Sequence, residues 1–205
     1  GYHARQRPLL ADIQVAGART RNPARKPAFQ PERLNQMTKI LALWAVPRST
    51  STAFEWMMRQ RGDFTCLHEP YGEAWYQGDD PLWPRLTADS VRTPGLTMAG
   101  VHAHLENLAA QGSVFSKDFP LYIDHMWNDE LFDMFNHSFL IRDPAKTIAS
   151  MFKHWPDFHI KETGFKEQRA LFDIITERQG GTPPPVIDSD DVLANPHGVV
   201  RAWCD

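Results

Sequence analysis

The chain has 205 residues, of which 42% are hydrophobic and 23% are charged, and its formal net charge is −3 at pH 7. This length suits one domain with a sizeable core, and no apolar run approaches the roughly 20 residues of a membrane span or the apolar core of a signal peptide. Two distant cysteines, Cys66 and Cys204, exclude a disulfide framework, so we expect a cytoplasmic domain without a membrane partner.

The first 36 residues differ from the rest of the chain in charge. They carry seven Lys/Arg and two acidic residues, a net charge of +5, whereas the remainder has a net charge of −8. Prolines and weak apolar periodicity predict a flexible basic extension over residues 1–36. A solvated extension is favoured over an arm for nucleic acid or a membrane surface, so we expect no nucleic-acid partner. The folded domain is predicted over residues 37–205.

From residue 39 onward, short apolar runs alternate with helical patterns. This alternation favours an α/β domain of three layers, α/β/α, around a central, mostly parallel five-stranded sheet. The predicted strands are residues 40–46, 64–67, 114–116, 139–141 and 186–187. The predicted helices are residues 52–61, 98–111, 145–154, 165–178 and 196–204. Residues 77–94 contain three prolines and are predicted to form a loop or lid.

The segment between the first strand and the first helix is the most informative. Arg48 is followed by four hydroxyl residues, Ser49, Thr50, Ser51 and Thr52, where backbone N–H groups and the helix dipole point at one spot. Hydroxyl donors and a permanent guanidinium charge there favour a phosphate-like anion. A turn with one capping hydroxyl is the alternative, but it would explain only one of the four. The segment lacks the Gly and Lys of an NTPase P-loop, which disfavours ATP hydrolysis.

A second segment couples a predicted strand to a helix. Arg142, Asp143 and Pro144 follow the strand, and Ser150 lies within the helix. The carboxyl end of a strand in an α/β sheet faces the crevice where ligands bind. Arg142 and Ser150 are therefore candidates for holding a second phosphate. The alternative, equally open on the sequence, is that Arg142 pairs with Asp143 while Ser150 is a small packing residue.

Together, the two segments resemble the paired donor-binding motifs of the sulfotransferase family, which uses 3′-phosphoadenosine 5′-phosphosulfate. Pro-Arg-Ser-Thr-Ser-Thr, residues 47–52, matches the motif that wraps the 5′-phosphosulfate, and Arg142 with Ser150 matches the motif that holds the 3′-phosphate. The order of Pro-Arg, Glu-Pro, a Lys strand end and Leu-Ile-Arg-Asp-Pro is most similar to bacterial sulfotransferase-like proteins often named together with branched-chain aminotransferases. The resemblance covers residues 39–205 and implies a P-loop-type fold.

The resemblance also implies a reaction and its residues. We expect a sulfotransferase that moves a sulfuryl group to a hydroxyl or amine of a small molecule, with Arg48 at the transferring group. By resemblance Glu69 is the base and Lys117 stabilises the bridging oxygen. Two alternatives stay open: Glu69 as a helix cap or an ion-pair partner of Arg48, and Asp118 as the base.

Two departures from the family pattern favour other functions. Thr50 stands where the family usually has Gly, and the chain ends at Asp205, after a helix that a further C-terminal segment usually follows, so the domain is expected to be short or to lack that segment. Both departures favour a non-catalytic nucleotide-binding or interaction domain as the alternative. A P-loop small-molecule kinase is a further alternative. No spacing of ligands indicates a metal, and Asp190 or Asp191 is predicted to cap the last helix.

Overall fold

The computed structural model describes residues 40–83 and 85–204, so the predicted basic extension 1–36 lies outside the described residues. The sheet has five parallel strands in the order β2-β3-β1-β4-β5, which confirms the predicted α/β class. The strands are β1 Ile40–Trp44, β2 Thr65–His68, β3 Val114–Asp118, β4 Phe135–Ile141 and β5 Val186–Asp188. Each lies where a strand was predicted, and β4 begins four residues earlier.

Helices surround this sheet. They are α1 Ser51–Arg61, α2 Pro70–Gln77, α3 Met98–Ala109, α4 Asp129–Asp133, α5 Pro144–His154, α6 Phe165–Arg178, α7 Ser189–Ala194 and α8 Pro196–Cys204. The prediction lacked α2, α4 and α7, because these helices are short and have little apolar periodicity. Residues 79–97, where the structure describes them, contain neither helix nor strand, in accord with the predicted loop.

The strand β1 lies at the centre of the core. Its side chains are almost entirely buried, as expected for a parallel strand that is covered on both faces. The chain leaves β1 towards β2 on one side, whereas β4 leads to β5 on the other. The loops after β1 and β4 therefore open a crevice between them at the carboxyl edge of the sheet, which is where ligands bind in such folds.

The side chain of Gln168 on α6 closes the ends of these two strands. Its Nε2 donates to the carbonyl oxygens of Trp44 at 3.1 Å and Leu140 at 2.9 Å. Buried carbonyls at strand ends need such partners, because an unsatisfied polar group in a core is costly. Gln168 therefore holds together the ends of β1 and β4, from which the two loops of the crevice begin.

Candidate functional site

The loop after β1 turns sharply before α1 begins. Arg48 and Thr50 have left-handed backbone conformations, with φ of 63° and 73°, a region that residues with side chains rarely adopt. The carbonyl of Thr50 accepts a hydrogen bond from the amide of Ala53 at 3.0 Å. The amides of Ser51 and Thr52 therefore precede the first intrahelical bond and lie at the positive end of the helix dipole, as an anion site requires.

The predicted row of four hydroxyl residues is divided in the structure. Ser49 is buried, and its hydroxyl donates to the carbonyl oxygen of Val46 at 2.7 Å. The hydroxyl of Thr50 is hydrogen-bonded to that of Ser189, at the start of α7, at 2.8 Å. These two side chains therefore fix the loop, whereas Ser51 and Thr52 belong to the first turn of α1.

The second predicted segment meets this loop directly. Arg142, just after β4, donates from Nη1 to the carbonyl oxygen of Arg48 at 2.6 Å. Arg48 in turn donates from Nε to Ser150 Oγ, on α5, at 3.0 Å. Asp143, the alternative partner of Arg142, accepts from the amide of Ala145 at 2.8 Å and so caps α5. The structure thus brings together the residues predicted to hold two phosphate-like groups.

The Nε atom of Arg142 is a further feature of this site. This nitrogen is buried and has no hydrogen-bond partner among the described residues. A buried donor without a partner costs about 1–3 kcal/mol, so such a group calls for an explanation, and a bound ion or ligand is one. The orphaned Nε marks this guanidinium as a candidate contact for an anion.

Glu69 lies between β2 and α2, and a buried lysine holds it. Its backbone is left-handed, with φ of 47°. Its Oε1 pairs with Lys117 Nζ, and its Oε2 accepts from the Tyr122 hydroxyl at 3.3 Å. Glu69 is therefore ion-paired, as one of the alternatives from the sequence has it, but its partner is Lys117 and not Arg48. The Lys117 side chain is 0% exposed and that of Glu69 is 22% exposed, so the lysine contacts the carboxylate rather than open solvent.

Two more residues join this cluster. Glu55 on α1 accepts from Arg59 Nε at 2.8 Å, is hydrogen-bonded through Oε2 to His68 Nδ1, and lies 4.0 Å from Lys117 Nζ. On its other side, His68 places Nε2 3.5 Å from Glu69 Oε1. Burial raises the pKa of Glu55, but its bonds to His68 and the nearby cations outweigh burial and hold that pKa below the usual value.

The crevice lies within a part of the chain that matches a known protein family. The family described as a sulfotransferase domain matches residues 38–205. The chain belongs to the sulfotransferase family. The match includes both halves of the crevice, since the loop after β1 and the segment after β4 lie within it.

The sulfotransferase domain also has relatives among curated proteins and solved structures. Branched-chain-amino-acid aminotransferase-like proteins 2 and 1 of Arabidopsis thaliana are each 26% identical to it, with 82% of this chain and 29% and 30% of their own lengths covered. The chain thus spans less than a third of these relatives. A solved gluconokinase from Sinorhizobium meliloti 1021 is 15% identical, with a TM-score of 0.42, over 78% of this chain and 87% of that chain.

Asp118, the alternative base of this sulfotransferase domain, is fully buried. Its carboxyl oxygens accept from the amides of Tyr71 at 3.0 Å and Phe119 at 2.9 Å. Burial raises the pKa of Asp118 to about 8, and the backbone bonds only partly oppose that rise. Because Tyr71 belongs to the first turn of α2, Asp118 fixes the start of that helix and therefore the place of Glu69.

The aspartates after β5 have other roles than the predicted one. The expected cap of the last helix by Asp190 or Asp191 is wrong, because Asn195 directly precedes α8 and its Oδ1 accepts from the Gly198 amide at 3.0 Å. Asp188 caps α7 by accepting from the Asp190 amide at 2.7 Å, and the Asp190 side chain pairs with Lys146 at 2.6 Å. Among residues 40–83 and 85–204, no group of three or more His, Cys, Asp or Glu could hold a metal ion. Within the same ranges, no helix has the length and apolarity to cross a membrane.

Sequence reasoning missed Glu55 and Ser189. Glu55 had a usable signal, since a carboxylate occurs on the face of α1 that also buries Phe54 and Met58, and a charge within an apolar stripe is unusual unless it is paired. Ser189 had none, because its contact with Thr50 joins residues 139 positions apart.

A first prediction concerns Thr50, which occupies a left-handed position that glycine adopts freely. Thr50→Gly should relieve about 1 kcal/mol of backbone strain but lose a hydrogen bond worth about 0.5–1.5 kcal/mol, so the net change should be small. In a Ser189→Ala background that bond is already absent. Thr50→Gly should therefore be more favourable there by about 0.5–1.5 kcal/mol, as measured by urea unfolding of the four proteins. Equal effects in both backgrounds would contradict the bond.

A second prediction concerns Asp118, whose pKa is about 8 in the fold and 3.8 ordinarily. Between these values the folded carboxyl keeps a proton that the unfolded one releases, so the free energy of unfolding should fall as pH rises. From about pH 5.5 to about 7.5, wild type should lose up to about 1.4 kcal/mol per pH unit relative to Asp118→Asn, measured by urea unfolding. Exposed Asp173→Asn is the control. Parallel curves for wild type and Asp118→Asn would show an ionised Asp118.

Proposed function

We propose that this domain transfers a sulfuryl group from 3′-phosphoadenosine 5′-phosphosulfate to a hydroxyl or amine of a small molecule. Membership in the sulfotransferase family supports the class of reaction. The observation that carries the proposal is the direct contact of the two anion-binding segments, through the bonds of Arg142 to the Arg48 carbonyl and of Arg48 to Ser150.

The residues at the crevice fit a ligand with two phosphate-like groups. The amides of Ser51 and Thr52 and the Arg48 side chain suit the 5′ group, and Arg142 with Ser150 suits the 3′ group. The orphaned Nε of Arg142 supports this assignment, because it is a buried donor that an anion would satisfy. A hydrogen bond from a guanidinium to an anion is charged on both sides, whereas the Arg48–Ser150 bond is charged only on the donor side, so exchanging it for bonds to an anion is favourable. When bound, the donor supplies the sulfuryl group and an anionic leaving group.

Glu69 is the residue that suits the base. Its side chain is partly exposed, and its two oxygens are fixed by Lys117 and the Tyr122 hydroxyl. A carboxylate held in one place can accept the proton of an acceptor as the new bond forms. The family resemblance implies that Lys117 contacts the bridging oxygen. Its complete burial favours instead a role in holding Glu69, which leaves Arg48 to stabilise the transferring charge.

Aromatic rings stand beside the proposed base. The ring centroids of Tyr76 lie 5.7 Å from those of Tyr122 and 5.5 Å from those of Trp83, and Trp75 lies 5.1 Å from Tyr122. Trp75 and Tyr122 are buried in the core, whereas Tyr76 and Trp83 are half-buried. Because the hydroxyl of Tyr122 donates to Glu69, the two half-buried rings adjoin the place where an acceptor would lose its proton. Aromatic walls with few polar groups are typical of pockets for ligands with an apolar body. We therefore propose an acceptor of that kind.

A non-catalytic nucleotide-binding domain is the second candidate. The observation that favours it is the burial of Lys117, which has 0% exposure and a carboxylate partner, so that this cation does not reach the crevice as it stands. Donor binding would survive in such a domain, because the loop amides, Arg48 and Arg142 do not depend on that lysine.

The proposal is tested by binding and then by transfer. A thermal-shift comparison of adenosine 3′,5′-bisphosphate with ATP plus magnesium should favour the bisphosphate, and about 2.7 kcal/mol of stabilisation is expected at 100 times its dissociation constant. Stabilisation by ATP plus magnesium, without stabilisation by the bisphosphate, would favour a small-molecule kinase. Transfer of labelled sulfate to a panel of hydroxyl and amine acceptors should then occur with wild type and be lost in Glu69→Gln. Bisphosphate binding without transfer to any acceptor would support the non-catalytic domain.

A third prediction concerns Arg142. Arg142→Ala should weaken binding of the bisphosphate about 10- to 100-fold in isothermal titration calorimetry, because one or two charge-assisted bonds are lost. Arg169→Ala is a matched control, since that arginine is exposed and forms an ion pair with Asp173 one turn away. Because Arg142 also bonds the loop, Arg142→Lys and the unfolding of the free proteins separate binding from folding. Unchanged affinity in a folded Arg142→Ala protein would refute the assignment.

A further inference from the structure

Three side chains lie in a row that leads away from the proposed base. Glu69 Oε1 is 3.5 Å from His68 Nε2, and His68 Nδ1 is hydrogen-bonded to Glu55 Oε2. Glu55 belongs to α1, the helix that starts at the anion loop, and His68 ends β2. The order is carboxylate, imidazole, carboxylate, with the imidazole between an outer and an inner acid.

We propose that His68, oriented by Glu55, is a relay that takes from Glu69 the proton that the acceptor loses. The inference rests on the proposed function and extends it by one residue pair. A single proton moves from the acceptor O–H or N–H to the Glu69 carboxylate, then to His68 Nε2, and finally to water; no group is oxidised or reduced. His68 acts through Glu69, so it is a positioning residue rather than a catalytic one.

The tautomer of His68 follows from Glu55. An ionised carboxylate only accepts hydrogen bonds, so the bond between the two residues requires the hydrogen on Nδ1. Glu55 stays ionised, because its hydrogen bond to His68, together with Lys117 and Arg59, outweighs burial and holds its pKa below the usual value. Nε2 is then the nitrogen with the free lone pair, and it is the nitrogen that faces Glu69.

The buried lysine explains why Glu69 needs to pass the proton on. Protonation of Glu69 would neutralise the partner of Lys117, whose side chain is 0% exposed, and leave Glu55 at 4.0 Å as its nearest carboxylate. A buried charge that loses its partner is strongly destabilised. A proton on His68 instead restores the Lys117–Glu69 pair and places the imidazolium between the carboxylates of Glu55 and Glu69.

His68 lies among charged groups of both signs. The charged and titratable groups around it come from four elements: Glu55 and Arg59 on α1, Cys66 on β2, Glu69 at the start of α2, and Lys117 and Asp118 on β3. Of the carboxyl groups, those of Glu55 and Glu69 lie directly against the imidazole ring. The side chain of His68 is 14% exposed, which leaves a way out for the proton.

The coupling between His68 and Glu55 can be measured without donor or acceptor, and this is the first test. In ¹⁵N-labelled protein at a fixed pH, the NMR signals of the ring nitrogens should place the hydrogen of neutral His68 on Nδ1, and Glu55→Ala should shift these signals away from that tautomer, because it removes the acceptor that selects it. His102, which contacts Tyr71 and Glu106, is the internal reference, and its signals should stay the same. A hydrogen on Nε2 of His68 in wild type would overturn the relay whatever the protein catalyses.

Turnover supplies the second test. His68→Gln should lower kcat about 100-fold, the range of general acid–base catalysis, while its affinity for adenosine 3′,5′-bisphosphate stays as in wild type. Imidazole added to the buffer should restore part of the rate, which a merely structural defect would not allow. His102→Gln is the matched control and should leave kcat unchanged.

The outcomes separate the relay from the function on which it rests. Transfer by His68→Gln at the wild-type rate and with the wild-type pH profile would overturn the relay and leave the sulfotransferase activity standing. Absence of transfer by wild type would overturn the proposed function, and with it any catalytic use of the relay, even if the NMR coupling is present.

Discussion

The hydrogen bond from Arg142 to the Arg48 carbonyl is the constraint on which the crevice depends. The loop that it holds contains two non-glycine residues in the left-handed region, Arg48 and Thr50, and such backbone persists only where its surroundings over-determine it. Arg142 supplies one restraint from β4, and Ser189 supplies another from the start of α7. The loop is therefore shaped by the second half of the sheet rather than by its own sequence.

The buried ionic cluster behind Glu69 complements this arrangement. Lys117 is held between Glu69 and Glu55. Because Glu55 belongs to α1, its side chain links the helix that follows the β1 loop to the proposed base. Buried charges are tolerated only when each has its partners. The loop after β1 and Glu69 are consequently connected through one helix, so a displacement of α1 would move both.

The sequence was sufficient for the fold and for the two segments that meet at the crevice, but not for the contacts between them. The five strands follow from apolar runs, and the segments around Arg48 and Arg142 follow from hydroxyl, arginine and proline residues at fixed spacing. What the sequence could not indicate was that Arg142 bonds the Arg48 backbone and that Lys117 is wholly buried, because both depend on the order of strands in space. The pairing of Glu55 with His68 escaped for the same reason, although a carboxylate on the buried face of α1 was visible.

Gln168 has a wider consequence. By bonding the carbonyls of both Trp44 and Leu140, it locks β1 and β4 in the register that pairs Trp44 with Phe139. A slip of one residue would displace Arg142 along β4 by about 3.3 Å and flip the side chains of that strand to opposite faces. Strand pairing thus sets the distance between Arg48 and Arg142, and in the proposed function this distance determines how far apart the two negative groups of the ligand must lie.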